Sequence, residues 1–397
     1  MRKNLLFVMP SLSAGGGERS LINLLSHIDY EKYNVDLFLF SHRGLFYELL
    51  PQQVNVLPLP PHYVMFSNLL PVSIGSFIAE GKPVLALNRL LYAISNRSYQ
   101  NVARSEQASW RYLAPSIDPI PETYDVAIGY LEKTSIYFCI DKVTAKKKIG
   151  WVHTDYDKMG MDPEYDRKYF QQLDHIVTVS DECANVLKVR FPEQTSKVQI
   201  IHNIVSPFLI REMASLEKHD IYNRKTDEIM ILSIGRLHSD KNFELAISAC
   251  KELVDRGFKV QWHIIGEGED RDKLQKQINE LEINHCFHLL GLKSNPYPYL
   301  QQADIYVQTS RFEGKSIAID EAKILNKPIV ITNFSTAQDH IADGIEGIIA
   351  NMTPSEVAGA IGKIIENHQL RERFREHLST MEFGTESEIN KLYQLIG

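Results

Sequence analysis

Cysteine is scarce in this chain: four in 397 residues, Cys139, Cys183, Cys250 and Cys286, with no Cys-x-x-Cys pair. Such spacing offers neither a zinc site nor a disulfide framework, and a reducing cytoplasm is the expected compartment. Long apolar runs are missing too, since nothing approaches the ~18 residues of a membrane span. The run Leu5-Leu6-Phe7-Val8-Met9 stops at Pro10 and a glycine cluster, so it reads as a first strand rather than a signal peptide. Excess positive charge is absent. Lys+Arg balance Asp+Glu at 21 each over residues 1–205, and 22 face 29 over the rest, which places the whole net charge of −7 in the C-terminal half. Nucleic acid is therefore excluded as an expected partner, while a neutral N-terminal half would not be repelled by an anionic membrane. A spaced G-x-G-x-x-G is also lacking, and no clear acidic residue closes the second strand, so NAD is not expected.

What is present suits two α/β domains. The length exceeds one core, and 44% hydrophobic with 23% charged residues is ordinary globular composition. β-like runs alternate with helical or loop material: Val35 to Ser41, Asp125 to Tyr130, Lys148 to Val152, His175 to Ser180 and Val198 to His202, then Ile229 to Ile234, Val260 to Ile265, Cys286 to Leu290, Asp304 to Gln308 and Pro328 to Thr332. That alternation predicts doubly wound parallel sheets. The most informative stretch is Ser310-Arg311-Phe312-Glu313-Gly314-Lys315-Ser316-Ile317-Ala318-Ile319-Asp320-Glu321-Ala322, between a strand and a helix that reaches Leu325. Amides at such a helix mouth suit a phosphate, and Gly314 has no side chain to keep it away. Glu313 in the loop and Glu321 on the helix would then accept hydrogen bonds from two separate sets of sugar hydroxyls.

Other candidates lie at strand ends. Gly15-Gly16-Gly17, between the first strand and a helix burying Leu21, Ile22, Leu24 and Leu25, forms a second potential anion cradle. Trp151-Val152-His153-Thr154-Asp155 ends another strand, where ligand groups gather in these folds. Asp155-Tyr156-Asp157 spells a possible cation pair, although no further carboxylate is recruited to it. Gly235-Arg236-Leu237-His238-Ser239-Asp240-Lys241-Asn242 offers a forked guanidinium and a compact ammonium for a diphosphate. Residues 62–114 carry Arg89, Arg97, Arg104 and Arg111 at intervals of eight, seven and seven. In one continuous helix these would fall within about 80° of arc, either as a solvated face or as a contact for an anionic lipid headgroup or lipid diphosphate.

In order along the chain, the glycine loop, the Gly-Arg-Leu and Lys-Asn pair and Glu-x7-Glu resemble the retaining glycosyltransferases of family 4. The resemblance implies the GT-B fold, two Rossmann-like doubly wound domains facing a central cleft. Residues 1–205 would form an acceptor-side domain with a helical insert at 62–114, and residues 206–380 a nucleotide-sugar-binding domain. Residues 381–397 would supply a helix crossing back to the first. Ile201 to Pro207 resembles the family's linker entry, and the polar stretch Glu212 to Asp227 is read as the boundary.

It further implies that Arg236, Lys241, Glu313 and His153 act in catalysis. Gly15, Gly16, Gly17, Gly235, Leu292, Gly314, Lys315, Ser316 and Glu321 would bind the donor, with Leu292 near the base and Glu321 on the ribose. No metal and no cofactor are expected. The expected activity is transfer of a hexose-type sugar from a UDP-linked donor to a glycan or lipid-linked glycan in bacterial cell-surface polysaccharide synthesis. The expected place is cytoplasmic, with peripheral contact at the inner face of the membrane through 62–114. A catalytically silent nucleotide-sugar-binding partner and a sugar-nucleotide epimerase are the alternative readings.

Overall fold

A computed structural model of the chain describes residues 2–13, 15–216, 220–222, 224–225 and 227–397. The chain divides into two compact units, one of Met1–Ser13, Gly17–Ile204 and Ser387–Gly397, the other of Ala14–Gly16 and Val205–Glu386. The division falls at Ile204/Val205, upstream of the polar stretch 212–227. Within that stretch residues 217–219, 223 and 226 lie outside the described residues, as do Met1 and Ala14.

The first unit is built on β1 (Lys3–Met9), β2 (Tyr33–Leu39), β3 (Val54–Val56), β4 (Thr123–Gly129), β5 (Thr144–Val152), β6 (His175–Thr178) and β7 (Val198–Ile200), all parallel in the order β3-β2-β1-β4-β5-β6-β7. A sheet covered on both faces needs strands that are apolar throughout. β1 meets this by sending Leu5, Phe7 and Met9 into one core and Leu6 and Val8 into the other. The covering helices are α1 (Gly16–His27), α2 (Pro61–Ser67), α3 (Leu70–Ala79), α4 (Pro83–Ser98), α5 (Val102–Leu113), α6 (Thr134–Lys142), α7 (Pro163–Phe170) and α8 (Asp181–Arg190).

The expected arginine face on residues 62–114 is corrected here. The segment is four short helices, with breaks at Asn68, at Gly81-Lys82 and at Tyr99–Asn101, where the Asn101 side chain caps α5 by accepting from the Arg104 amide. Arg89 and Arg97 therefore sit on α4, and Arg104 and Arg111 on α5. Arg89 turns inward, donating to the carbonyls of Phe66 at 2.7 Å and Asn68 at 3.1 Å, while Arg104 Nε donates to the Gly160 carbonyl at 3.0 Å.

The second unit is a six-stranded parallel sheet of β8 (Ile229–Ile234), β9 (Val260–Ile265), β10 (Phe287–Leu289), β11 (Ile305–Gln308), β12 (Ile329–Thr332) and β13 (Gly347–Ala350), ordered β10-β9-β8-β11-β12-β13. Its helices are α9 (Pro207–Ala214), α10 (Phe243–Asp255), α11 (Arg271–Glu280), α12 (Tyr297–Gln302), α13 (Ile317–Ile324), α14 (Ala337–His340), α15 (Pro354–Glu366) and α16 (His368–Thr380). The last helix, α17 (Ile389–Ile396), belongs to the first unit, where Ile389, Leu392 and Ile396 join the core beside β1. Both sheets reverse strand order once, between β1 and β4 and between β8 and β11. In open α/β sheets that reversal opens a crevice at the carboxyl ends of the strands, where ligands bind.

Candidate functional site

At the second unit's reversal, β8 runs into Gly235-Arg236-Leu237 and β11 into Thr309–Ser316. Close backbone packing fixes the first loop. A Cβ on Gly266 would lie 1.8 Å from the Gly235 carbonyl oxygen, and one on Gly268 would lie 2.2 Å from that of Leu237, so neither position accepts a side chain. Leu237 is fully buried and its amide donates to the Glu267 carbonyl at 3.0 Å. The loop then turns through Asn242, left-handed at φ 53°, into α10.

Arg311 laces the two loops together. Its amide donates to the Asp240 carbonyl at 2.7 Å, its Nε to the Ser239 carbonyl at 3.1 Å and its Nη2 to Asn242 Oδ1 at 2.8 Å. Thr309 Oγ1 adds a bond to the Lys241 carbonyl at 3.0 Å.

Lys241 and Glu313 meet inside this frame. Lys241 Nζ stands 2.5 Å from Glu313 Oε1, and the same oxygen accepts from Gln308 Nε2 at 2.6 Å and Ser310 Oγ at 2.5 Å. Three donors on one oxygen fix that carboxylate as an acceptor of defined orientation. The carbonyls of the loop are tied down as well: Thr332 Oγ1 donates to Ser310, Thr336 Oγ1 to Glu313 at 2.9 Å and His340 Nε2 to Gly314 at 3.2 Å. Among the described residues nothing accepts from the amides of Gly314, Lys315 or Ser316. Those donors point from the mouth of α13, and a Cβ on Gly314 would have open space around it. Held carbonyls and uncommitted amides at a helix N-terminus are the arrangement that an anion would need.

The other candidates in this unit are placed as follows. Arg236 is exposed, and no described carboxylate pairs with it. Lys315 Nζ is 3.1 Å from Asp320 Oδ1, and Ser316 Oγ bonds the Gln308 amide group. Glu321 lies one turn into α13, fully buried, with Oε1 accepting from the Tyr297 hydroxyl at 2.8 Å, so a polyhydroxyl ligand would share it with that tyrosine. Leu292 is exposed after Gly291, whose φ of +72° demands glycine; the Gly291 carbonyl accepts from the Gly266 amide at 3.0 Å.

In the first unit the reversal brings α1, the β4 end and the β5 end together. A Cβ on Gly17 would fall 3.0 Å from Leu131 Cδ1 and 3.9 Å from His153 Cγ, so glycine there allows the helix to approach the histidine loop. Gly15 and Gly16 group with the second unit: a Cβ on Gly16 would meet nothing within 4 Å, and Gly15 is half-buried in the bend before α1. The His153 ring packs on Tyr130 at 4.9 Å and parallel to Trp151 at 6.0 Å. Burial lowers its pKa to about 3, opposed by a hydrogen bond to the Tyr130 backbone, and the buried Nε2 has no hydrogen-bond partner among the described residues. Neutral imidazole is thus the working form, suited to hydrogen bonding rather than to carrying charge.

Glu132, at the β4 end, holds this loop. Its carboxylate accepts from the His153 amide at 3.1 Å and from Thr154 Oγ1 at 3.3 Å, and burial raises its pKa. Lys133 follows at φ 66°, a strained conformation for a non-glycine residue. The Asp-x-Asp pair is otherwise occupied: Asp155 Oδ1 accepts from the amides of Asp157 and Lys158, and Asp157 pairs with Arg190 at 2.6 Å. Between them Tyr156 is buried and donates to Asp166 at 2.6 Å.

Sequence reasoning missed Gln308, Ser310, Arg311, Thr336, His340, Tyr297 and Glu132. Two of them had a signal. Gln308 closes an otherwise apolar buried strand, and Glu132 lies three residues beyond the buried end of β4; a buried polar side chain in either place must find a partner.

Comparison with known proteins bears on both units. Residues 215–379 match the family model for glycosyl transferases group 1. An uncharacterized glycosyltransferase of Methanocaldococcus jannaschii is 28% identical over 177 residues, 44% of this chain and 43% of that protein. The poly(ribitol-phosphate) alpha-N-acetylglucosaminyltransferase of Staphylococcus aureus is 28% identical over 174 residues, 42% of this chain and 35% of that protein. The chain thus spans less than half the length of these relatives. Among solved structures, Anabaena HepE in complex with UDP and glucose superposes with a TM-score of 0.69 at 15% identity, over 100% of this chain and 99% of that one. At that identity the likeness shows the fold, two Rossmann-like domains of the GT-B type.

Proposed function

We propose that the protein is a retaining glycosyltransferase of family 4. It would move a hexose-type sugar from a UDP-linked donor to a hydroxyl of a glycan or lipid-linked glycan, in bacterial cell-surface polysaccharide synthesis. The observation that carries this reading is the convergence, at the carboxyl ends of β8 and β11, of Lys241, Glu313 and the free amides of Gly314 to Ser316. A sugar diphosphate is one ligand that uses all of them. Its phosphates take the amides, Lys241 and the exposed Arg236, and its sugar takes Glu313, whose Oε1 is already oriented by three donors. The group 1 match over residues 215–379 and the UDP and glucose of the HepE complex support the donor class.

In the reaction the bond from the anomeric carbon to the phosphate oxygen breaks, and the acceptor hydroxyl oxygen bonds that carbon from the same face. The acceptor proton passes to the departing phosphate. Lys241, Arg236 and the α13 amides stabilise the charge that grows on the leaving group, while Glu313 orients the sugar. Retention is supported by the α linkage in the name of the Staphylococcus relative. Metal independence is supported by the cationic and amide donors at the phosphate site, and by the engagement of Asp155 and Asp157 elsewhere. A lipid-linked acceptor would be met at the inner face of the cell membrane, with residues 62–114 as the peripheral contact.

Incubation of the purified protein with a panel of sugar nucleotides tests the reading. Release of nucleoside diphosphate from one donor is expected, faster with a glycan acceptor, and lost in Lys241→Ala with the fold intact. Release from none of them, with or without acceptors, would favour a silent binding partner; interconversion of the donor sugar without acceptor would make the protein an epimerase.

A further inference from the structure

Large hydrophobic side chains are unevenly exposed. Of sixteen such residues among the described part of the chain, ten lie between Val64 and Val102, about a tenth of its length. On α4, Val84, Leu87, Leu90 and Ile94 follow at intervals of three, three and four and so share one side of the helix, each 41% exposed or more. The opposite side of α4 packs Leu85 and Tyr92 against a small core of Phe66, Phe77 and Ala86. α3 buries Phe77 while Val72 and Ile78 face outward, and its sequence contains no charged residue. Surface helices normally give water a polar face. These two give it a second apolar one.

Charge along the segment that carries these helices is one-sided. Residues 61–113 hold five Lys or Arg against two Asp or Glu, in a chain of net charge −7. Both carboxylates are neutralised, Glu80 by Lys82 at 3.0 Å and Glu106 by Lys133 at 2.7 Å. Arg97, Arg104 and Arg111 are exposed, and none has a described carboxylate partner.

We infer that the outer face of the α3–α4 hairpin is a membrane-docking surface that lies in the plane of an anionic phospholipid bilayer, with Leu87, Leu90 and Ile94 among the acyl chains. No helix among the described residues is long and apolar enough to cross a membrane, and α4, at 16 residues, spans only ~24 Å, so the hairpin lies on the bilayer rather than through it. A second copy docking through the same face would bring these arginines no free carboxylate, since Glu80 and Glu106 are already paired. Anionic headgroups satisfy them instead. This inference deepens the peripheral contact of the proposed function but needs no donor. A protein that docks and turns over no sugar nucleotide would keep it while refuting the transfer reaction.

The test uses the full chain with Leu90→Trp as reporter, since Trp110, Trp151 and Trp262 are at most 2% exposed. Vesicles of phosphatidylcholine alone and of phosphatidylcholine with phosphatidylglycerol are the probes. A blue shift of the new indole, and its quenching by brominated acyl chains, are expected with the mixed vesicles. Arg97→Gln should weaken co-sedimentation with them about fivefold. The triple substitution Leu87→Gln, Leu90→Gln, Ile94→Gln should weaken it at least tenfold and keep a cooperative melt, because these side chains are 41–55% exposed and lie outside the cores. The inference is overturned by an indole that neither shifts nor is quenched, by sedimentation indifferent to the triple substitution, or by a dimer that the triple substitution dissociates, which would make the face a subunit contact.

Discussion

Single residues carry the chemistry proposed here, and their surroundings give each a separable signature. Lys241 is held by Glu313 and can be shortened without opening the core, so Lys241→Ala should cut donor turnover about 10²- to 10³-fold in kcat, the scale of losing one preorganised charge stabiliser. Steady-state kinetics beside a thermal melt separates that loss from unfolding. His153 predicts a pH effect on stability. The native residue stays neutral down to a pKa of about 3, whereas the unfolded residue takes a proton near 6.5. Acid therefore loads protons onto the unfolded state, and the stability held above pH 6.5 drains away as pH falls towards 3. The melting temperature should drop from pH 7 to pH 5, and drop less in His153→Gln. Asp166 works in the opposite sense: burial raises its pKa from 3.8 to about 6, so its contribution is complete below 3.8 and is lost as pH rises through 6.

Elements explain why some glycines are structural and others functional. Gly266→Ala would force a methyl onto the Gly235 carbonyl, and a melt should show a loss of at least about 1–3 kcal/mol. Gly314→Ala meets nothing, so stability should hold within about 0.5 kcal/mol while donor turnover falls, because the methyl occupies the approach to the α13 amides. Equal stability losses in the two variants would contradict this division of roles. Elements also set what was legible in the sequence. Ile229–Ile234 is apolar but for Ser233, and Val260–Ile265 sets Gln261 and His263 between apolar residues; both are bounded by polar or glycine-rich turns, and their observed limits coincide with the expected ones. Glu313 in the loop and Glu321 on the helix could be read from the strand–glycine–helix pattern. β3 and β13, three and four residues long, could not, because their polar flanks hide them and only tertiary pairing defines them. The arginine stripe failed for a related reason. Regular spacing says nothing about chain breaks, and Asn101 ends the periodicity by capping a new helix.

Across the whole molecule, the sequence order of the elements is not the order of the two units. The final helix closes the core of the first, where Leu392 is fully buried and Tyr393 stacks on Tyr33 at 5.2 Å. Leu392→Ala should therefore destabilise that unit by about 2–5 kcal/mol, visible as a shifted melting transition, although the residue lies almost at the C-terminus. The side-chain network that orients Glu313 was not legible, since Gln308, Ser310 and Lys241 converge only once β8 and β11 stand side by side. What that network holds decides the chemistry of the protein. A crystal structure of the protein soaked with UDP-glucose tests it most directly. The diphosphate is predicted within hydrogen-bond distance of Lys241 Nζ and the amides of Gly314 to Ser316, with the sugar against Glu313; a nucleotide bound remote from Arg236 and Lys241 would contradict it.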